Sequence, residues 1–338
     1  GLPAANTQIA LGEDPELARW LLEASLGGGF RPVRPPGPAV LPGLRACAAI
    51  VQQDPPPPAY FPDPDAPADP AMALASLDRV TVQPAGAPVP DDVRRVLGRH
   101  TPALPPDTDV AWGFDAGPGL VYPVRLPHGA TSLTVPAAGL DVATRAAQWH
   151  ARREAARESM RTRGFALLRE VIPPAQRAAL RRYVRQLRER GYFPDLDDGQ
   201  VKLRASIHNE PTIAALHNGL AGLVNTIGPE PVLPSYSFLS CYEEGAVLDR
   251  LLDRPQCRYN ICFVLDMQFT DGRTGEPEPW PIYLELQGRP VEALMQVGDG
   301  VFFSGSSIWH WRDALPPGRR VVVCFSHYVP ADHAGSLD

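Results

Sequence analysis

Residues 298–328, GDGVFFSGSSIWHWRDALPPGRRVVVCFSHY, decide the fold. Gly298-Asp299-Gly300 is turn chemistry and delivers the chain into the apolar run Val301–Ser304. Gly318-Arg319-Arg320 opens a longer strand, Arg320–Tyr328. Working back, Pro281–Leu286 and Ser235–Tyr242 read as strands. In Arg258–Asp266, Tyr259, Ile261, Phe263 and Leu265 alternate with Asn260, Cys262 and Val264, as a strand requires. Further turn chemistry, such as Asp271-Gly272, separates these runs. Short strands joined in this way predict an all-β C-terminal half, built as a double-sheet jelly roll or barrel.

Helical signals precede this β region. Asp141–Arg163 is rich in helix formers, acidic at its start and basic at its end, which suits the macrodipole. Gly164–Val171 reads as a strand. Pro173 and Pro174 then open a helix over Ala175–Arg190, with Leu180, Tyr183, Val184 and Leu187 on one face and arginines on a solvated one. Residues 141–338 are therefore expected to form one α+β domain.

Residues 1–140 differ. The chain holds 40 prolines, of which 25 lie in residues 1–150 and 15 in residues 151–338. The densest stretch, Asp54–Pro70, excludes helix and central strand, because proline lacks a backbone donor and fixes φ. Ordered candidates around it are a helix at Asp14–Leu26, with Leu17, Trp20, Leu21 and Leu26, and strands at Leu77–Val82 and Leu120–Leu126. This part is read as a proline-rich α+β lobe that carries no chemical motif and serves as a substrate-docking surface or lid.

Composition narrows the functional classes. The 338 residues include 32 basic and 38 acidic side chains, a formal charge of −6, and 44 % are apolar. That supplies a core and argues against a sequence-independent nucleic-acid binder, which needs a net basic face. No apolar run approaches the roughly 18–20 residues that span a bilayer. No signal-peptide pattern opens the chain, and the start at Gly1 reads as a processed or artificial end. The five cysteines, Cys47, Cys241, Cys257, Cys262 and Cys324, are odd in number and lack a CxxC, so reduced thiols in a cytoplasmic protein are expected. Lys202 is the only lysine. Arginine in its place, with abundant Ala, Pro and Gly, reads as GC-rich bacterial coding sequence.

Three features carry chemistry, in order along the β region. The first is Tyr242-Glu243-Glu244-Gly245, running through Leu248-Asp249-Arg250-Leu251-Leu252-Asp253. The second is Gly298-Asp299-Gly300-Val301-Phe302-Phe303, ending at Trp309-His310. The third is Gly318-Arg319-Arg320. This order resembles the iron(II)/2-oxoglutarate-dependent dioxygenases, especially their prolyl-hydroxylase-like branch. There a Tyr-x-x-Gly turn leads to a His-x-Asp pair, a Gly-Asp strand leads to a distal His, and a basic residue follows. The resemblance covers roughly residues 160–330.

The resemblance implies a double-stranded β-helix, a jelly-roll or cupin-like core, with flanking helices. It implies Fe(II) and 2-oxoglutarate as cofactors. A facial triad of two imidazoles and a carboxylate leaves metal positions open for 2-oxoglutarate and O₂. By carry-over, Asp253 and His310 are the metal ligands and catalytic centre. Arg320 is the favoured clamp for the remote 2-oxoglutarate carboxylate, since an arginine fork matches a carboxylate in two places. Arg319, on the opposite strand face, is the fallback, and Tyr242 is a further hydrogen-bond donor to the same carboxylate. The implied reaction is hydroxylation, or related C–H oxidation, of an amino acid, peptide or natural product, coupled to decarboxylation of 2-oxoglutarate to succinate. A ribosomal precursor peptide is among the substrates considered.

One position departs from the pattern. Leu251 stands where the first triad histidine belongs, and leucine cannot ligate a metal. Three accounts stand open: an engineered replacement, a third ligand from elsewhere with His208 or His217 as candidates, and a non-catalytic binding protein on the same fold. Plain structural readings stand beside the functional ones. His208 and His217 read as loop and helix residues, Asp266 and Asp271 as turn residues, His327 and His333 as structural, and the cysteines as small apolar strand residues. Pro194–Asp198 and Glu243-Glu244 are acidic stretches able to attract a basic substrate.

Overall fold

The computed structural model describes residues 77–98, 109–126, 142–193 and 201–337. The expected helix Asp14–Leu26, the proline run Asp54–Pro70 and the acidic Pro194–Asp198 lie outside them. Thirteen strands are present among the described residues: β1 Arg79–Gln83, β2 Val110–Asp115, β3 Leu120–Arg125, β4 Phe165–Leu168, β5 Arg204–His208, β6 Val232–Tyr242, β7 Leu248–Leu251, β8 Tyr259–Phe269, β9 Ile282–Leu286, β10 Arg289–Ala293, β11 Gly300–Phe303, β12 His310–Arg312 and β13 Arg319–Pro330. The helices are α1 Asp91–Leu97, α2 Val142–Arg163, α3 Pro174–Glu189 and α4 Pro211–Ile227.

The expected strands and helices that fall on described residues are present with shifted ends, and β2, β5, β7, β10, β12, α1 and α4 are additions. Two of the added strands, β7 and β12, have four and three residues, too few for alternation to announce them. His208 ends strand β5 instead of lying in a loop. Asp266 is not a turn residue; it lies within β8 and is buried.

A six-stranded sheet runs β4-β11-β8-β13-β6-β5, and a four-stranded sheet runs β10-β9-β12-β7. Every pairing in both is antiparallel. From β6 onward the chain crosses between the sheets, with β9–β10 a hairpin inside the smaller one. The result is a two-sheet jelly roll, the double-stranded β-helix.

Alternation sends side chains to opposite faces. On β13, Val321 and Val323 enter the core between the two sheets with Ile282, Leu284 and Phe303. Val322 and Cys324 point the other way, into a second core with Leu180, Val184, Leu216 and Leu220 of the covering helices. A further sheet, β1-β2-β3, lies against α4, and Leu120, Tyr122 and Val124 share that second core.

Local chemistry fixes the helices. Gly164 ends α2 at φ +80, where its N–H donates to the Met160 carbonyl at 3.0 Å. Glu210 caps α4 by accepting from Ile213 N–H at 2.9 Å. The α3 arginines are not simply a solvated face. Arg181 and Arg185 both donate to the buried Asp266 carboxylate, at 3.0 and 2.7 Å, and Arg188 pairs with Glu243 at 2.7 Å.

Candidate active site

β7 and β12 are neighbours at one edge of the smaller sheet, and their register places Leu251 directly across from His310. After Leu251 the chain leaves the sheet. Asp253 N–H donates to the Gly305 carbonyl at 2.9 Å, which returns the Asp253 side chain toward β12. Gly305 passes so close to the Asp253 carboxylate and the Asn260 amide that a Cβ would not fit.

His310 is buried and its orientation is fixed. Its Nδ1 faces the Ile308 carbonyl at 3.0 Å, and its ring meets Phe303 edge-on at 5.0 Å. With Nδ1–H donated, the Nε2 lone pair is presented to Asp253, whose Oδ2 lies 3.6 Å away. Asn260 donates from Nδ2 to the same Asp253 oxygen, and its Oδ1 lies 2.5 Å from His327 Nδ1. Asp253, His310, Asn260 and His327 are therefore linked side chains lining one recess of about 440 Å³.

Burial works to raise the Asp253 carboxyl, but His310, His327 and Asn260 outweigh it and hold the group below its usual range. Burial pushes His327 down to about 4, so it is neutral. The four described cysteines are buried and unpaired. Burial pushes Cys241 up to about 11 and Cys257 and Cys324 up to about 12, and Cys262 is also raised. None is a thiolate nucleophile or ready metal ligand at neutral pH.

The other expected residues fall in different places. Tyr242 is fully buried, stacked edge-on against Trp280 at 5.1 Å, and its hydroxyl accepts from Arg204 at 3.2 Å. Arg204 lines the recess. Arg320 does not: it projects from the helix-facing side of β13, where its Nε donates to both Glu243 oxygens at 2.7 and 2.9 Å. Arg319 shares the inward face with Val321 and Val323 and donates from Nη1 to the Glu278 carbonyl at 3.2 Å. Glu243 and Glu244 are occupied, the first by Arg188 and Arg320, the second by Gly318 N–H at 2.6 Å.

Neither alternative histidine completes a triad. His217 lies in α4 with Nε2 on the His327 carbonyl at 2.6 Å, away from the recess. His208 packs among Tyr236 and Phe238, with ring separations of 5.3 and 5.0 Å. Among the described residues, no three His, Cys, Asp or Glu side chains gather as a metal-binding group. Sequence reasoning missed Asn260 and Arg204, both of which line the recess. Asn260 had one signal, a polar residue in an otherwise apolar strand.

Asp253 and His310 fit two corners of one metal site. Two bonds of roughly 2.1 Å to a common ion span at most about 4.2 Å, and the observed 3.6 Å lies inside that limit. Leu251, across from His310 in the β7–β12 pairing, offers only carbon to that space.

No protein-family model matches the sequence. No curated protein matches it either. Among solved structures, the non-heme alpha-ketoglutarate-dependent epimerase SnoN of nogalamycin biosynthesis is similar at a TM-score of 0.45 and 12% identity, over 54% of this chain and 82% of that one. A Pseudomonas putida prolyl-4-hydroxylase is similar at 0.41 and 17%, over 53% and 98%. HygX from Streptomyces hygroscopicus, with nickel, 2-oxoglutarate and hygromycin B bound, is similar at 0.40 and 14%, over 52% and 86%. These likenesses concern the course of the chain and not its chemistry.

Proposed function

We propose that this chain is an iron(II)/2-oxoglutarate oxygenase in type, with its metal site reduced to Asp253 and His310 by Leu251. The observation that carries this reading is the pair itself. A carboxylate just past the end of β7 and an Nε2-presenting imidazole on the adjacent strand β12 face each other at 3.6 Å in a double-stranded β-helix. Asp253 and His310 would hold Fe(II). The chemistry such an ion would supply is hydroxylation of a substrate C–H bond by O₂, one oxygen atom going to the substrate and the other to the succinate that forms, with carbon dioxide, from 2-oxoglutarate.

The chain's own residues prepare that site. The Ile308 carbonyl fixes the His310 tautomer, and Asn260 holds one Asp253 oxygen in place. Asp253 stays ionised at neutral pH, as a metal ligand must. Tyr236, Phe238 and Phe325 exclude water from one wall, while Arg204, Arg254 and Ser240 give polar contacts. A recess of about 440 Å³ suits a small molecule or the side chain of a peptide. The substrate we propose is accordingly an amino acid, a peptide residue or a natural product.

The test is Leu251→His. With Fe(II), 2-oxoglutarate and O₂, this variant is expected to form succinate even without a substrate. Leu251→His/His310→Ala and the unaltered chain are expected to form little. If Leu251→His, shown to be folded by circular dichroism, gives no succinate above the double variant, the oxygenase reading fails.

A further inference from the structure

Helix α2 and strand β4 enclose a groove of about 240 Å³ that shares none of its lining residues with the recess at Asp253 and His310. Trp149, Leu168 and Leu223 supply apolar lining, and Arg152, Arg153, Arg163 and Arg169 supply four guanidinium groups. The helix above it is unusually wet: among the described side chains of α2, only Ala156 is buried.

Two of these arginines are committed. Arg152 pairs with Glu170 at 3.1 Å, and Arg169 pairs with Asp299 at 2.6 Å. Arg153 and Arg163 have no carboxylate partner among the described residues, and Arg163 rests over the Phe165 ring at 4.6 Å. Over its length α2 carries six arginines and two glutamates, in a chain whose formal charge is −6. A groove that is positive and partly apolar selects a ligand that carries both carboxylates and apolar or aromatic groups.

The chain itself contains such a ligand. From Ala46 to Asp78 there is no basic residue, and Asp54, Asp63, Asp65 and Asp69 stand among prolines with the aromatic pair Tyr60-Phe61 between them. This segment lies outside the described residues, and the described chain begins next to the groove. Leu77 is buried in the helix-covered core, and Asp78 accepts from Ala116 N–H at 2.7 Å. The following residue, Gly117, lies so close to Trp149 that a Cβ would not fit. The chain thus enters the fold beside the β2–β3 turn, and that turn touches the tryptophan of the groove. At about 3.3 Å per extended residue, the eight residues from Asp69 to Leu77 reach about 26 Å.

We propose that the acidic, proline-rich segment Asp54–Asp69 docks in the α2–β4 groove, with its carboxylates on Arg153 and Arg163 and its Tyr60-Phe61 pair on the apolar lining beside Trp149. Arginine forks match carboxylates, and aromatic-lined grooves receive proline-rich chain. Proline has a fixed φ, so such a segment loses less backbone freedom on docking than an ordinary one. A tethered ligand also competes at an effective concentration on the order of millimolar, ahead of a free acidic peptide. Nothing in this docking depends on the metal pair.

Zero-length cross-linking of the full chain tests this. Lys202 is the only lysine, so Arg153→Lys adds one assignable amine to the groove. After carbodiimide treatment, mass spectrometry is expected to find position 153 joined to Asp63, Asp65 or Asp69. The yield should hold constant when the protein is diluted about tenfold, and should fall at least threefold in about 1 M NaCl, where charge attraction is screened. Hydrogen exchange gives a second readout without the added amine. Amides of Trp149–Arg163 are expected to exchange at least fivefold faster in Asp63→Asn/Asp65→Asn/Asp69→Asn than in the unaltered chain, with α4 the same in both.

Cross-links confined to Glu154, Glu158 or Glu170 overturn the proposal, as does equal α2 exchange in the two chains. Cross-links that join two molecules and grow with concentration overturn it in favour of a second copy as the occupant.

Discussion

At the scale of single residues, the site depends on a relay of buried polar groups: His310, Asp253, Asn260, His327. Asn260 is the hinge of this relay, giving its amide N–H to Asp253 and its carbonyl to the His327 ring. His327 illustrates the energetics. Burial lowers it from 6.5 to about 4 in the folded state. Below pH 6.5 the unfolded chain takes up a proton that the folded chain refuses. The His327 contribution is therefore complete above pH 6.5 and is lost progressively as pH falls toward 4. At about 1.4 kcal/mol per unit, the loss is on the order of 3 kcal/mol. Urea unfolding at pH 7 and pH 4.5 should show this fall in the parent and a flatter profile in His327→Gln. An equal fall in both would place the acid sensitivity elsewhere.

At the scale of elements, the site is made by strands too short to be read in advance. β7 and β12 each have only four or three residues, yet their pairing sets Leu251 across from His310. The long strands β8 and β13 were legible because eleven and twelve residues give alternation room to repeat. Alternation alone could not tell which face of β13 was inward, and so could not choose between Arg319 and Arg320. That choice needed the partner Glu243, which α3 shares through Arg188. The same helix is pinned to β8 by Arg181 and Arg185 on Asp266. Asp266→Asn weakens these charge-assisted bonds and should cost about 1.5–3 kcal/mol in denaturant unfolding. A change below about 0.5 kcal/mol would show that α3 is held by its apolar face alone.

At the scale of the whole molecule, the roll gathers into one recess groups that lie far apart in sequence. Arg204, Asp253, Asn260, His310 and His327 line it, with Leu248, Phe303 and Phe325 in its apolar wall. Order along the chain revealed the fold and the metal pair, since Gly-Asp-Gly, the distal histidine and the last strand follow one another in sequence. It did not reveal the linking group Asn260, which meets His327 only through the β8–β13 pairing and Asp253 only once the chain has left β7. The most direct test of the account is an anaerobic Co(II) titration followed by visible absorption. The account predicts weak binding by the unaltered chain, affinity at least tenfold higher in Leu251→His, and loss of that gain in Leu251→His/Asp253→Ala. Equal Co(II) affinity in the unaltered chain and in Leu251→His would contradict it.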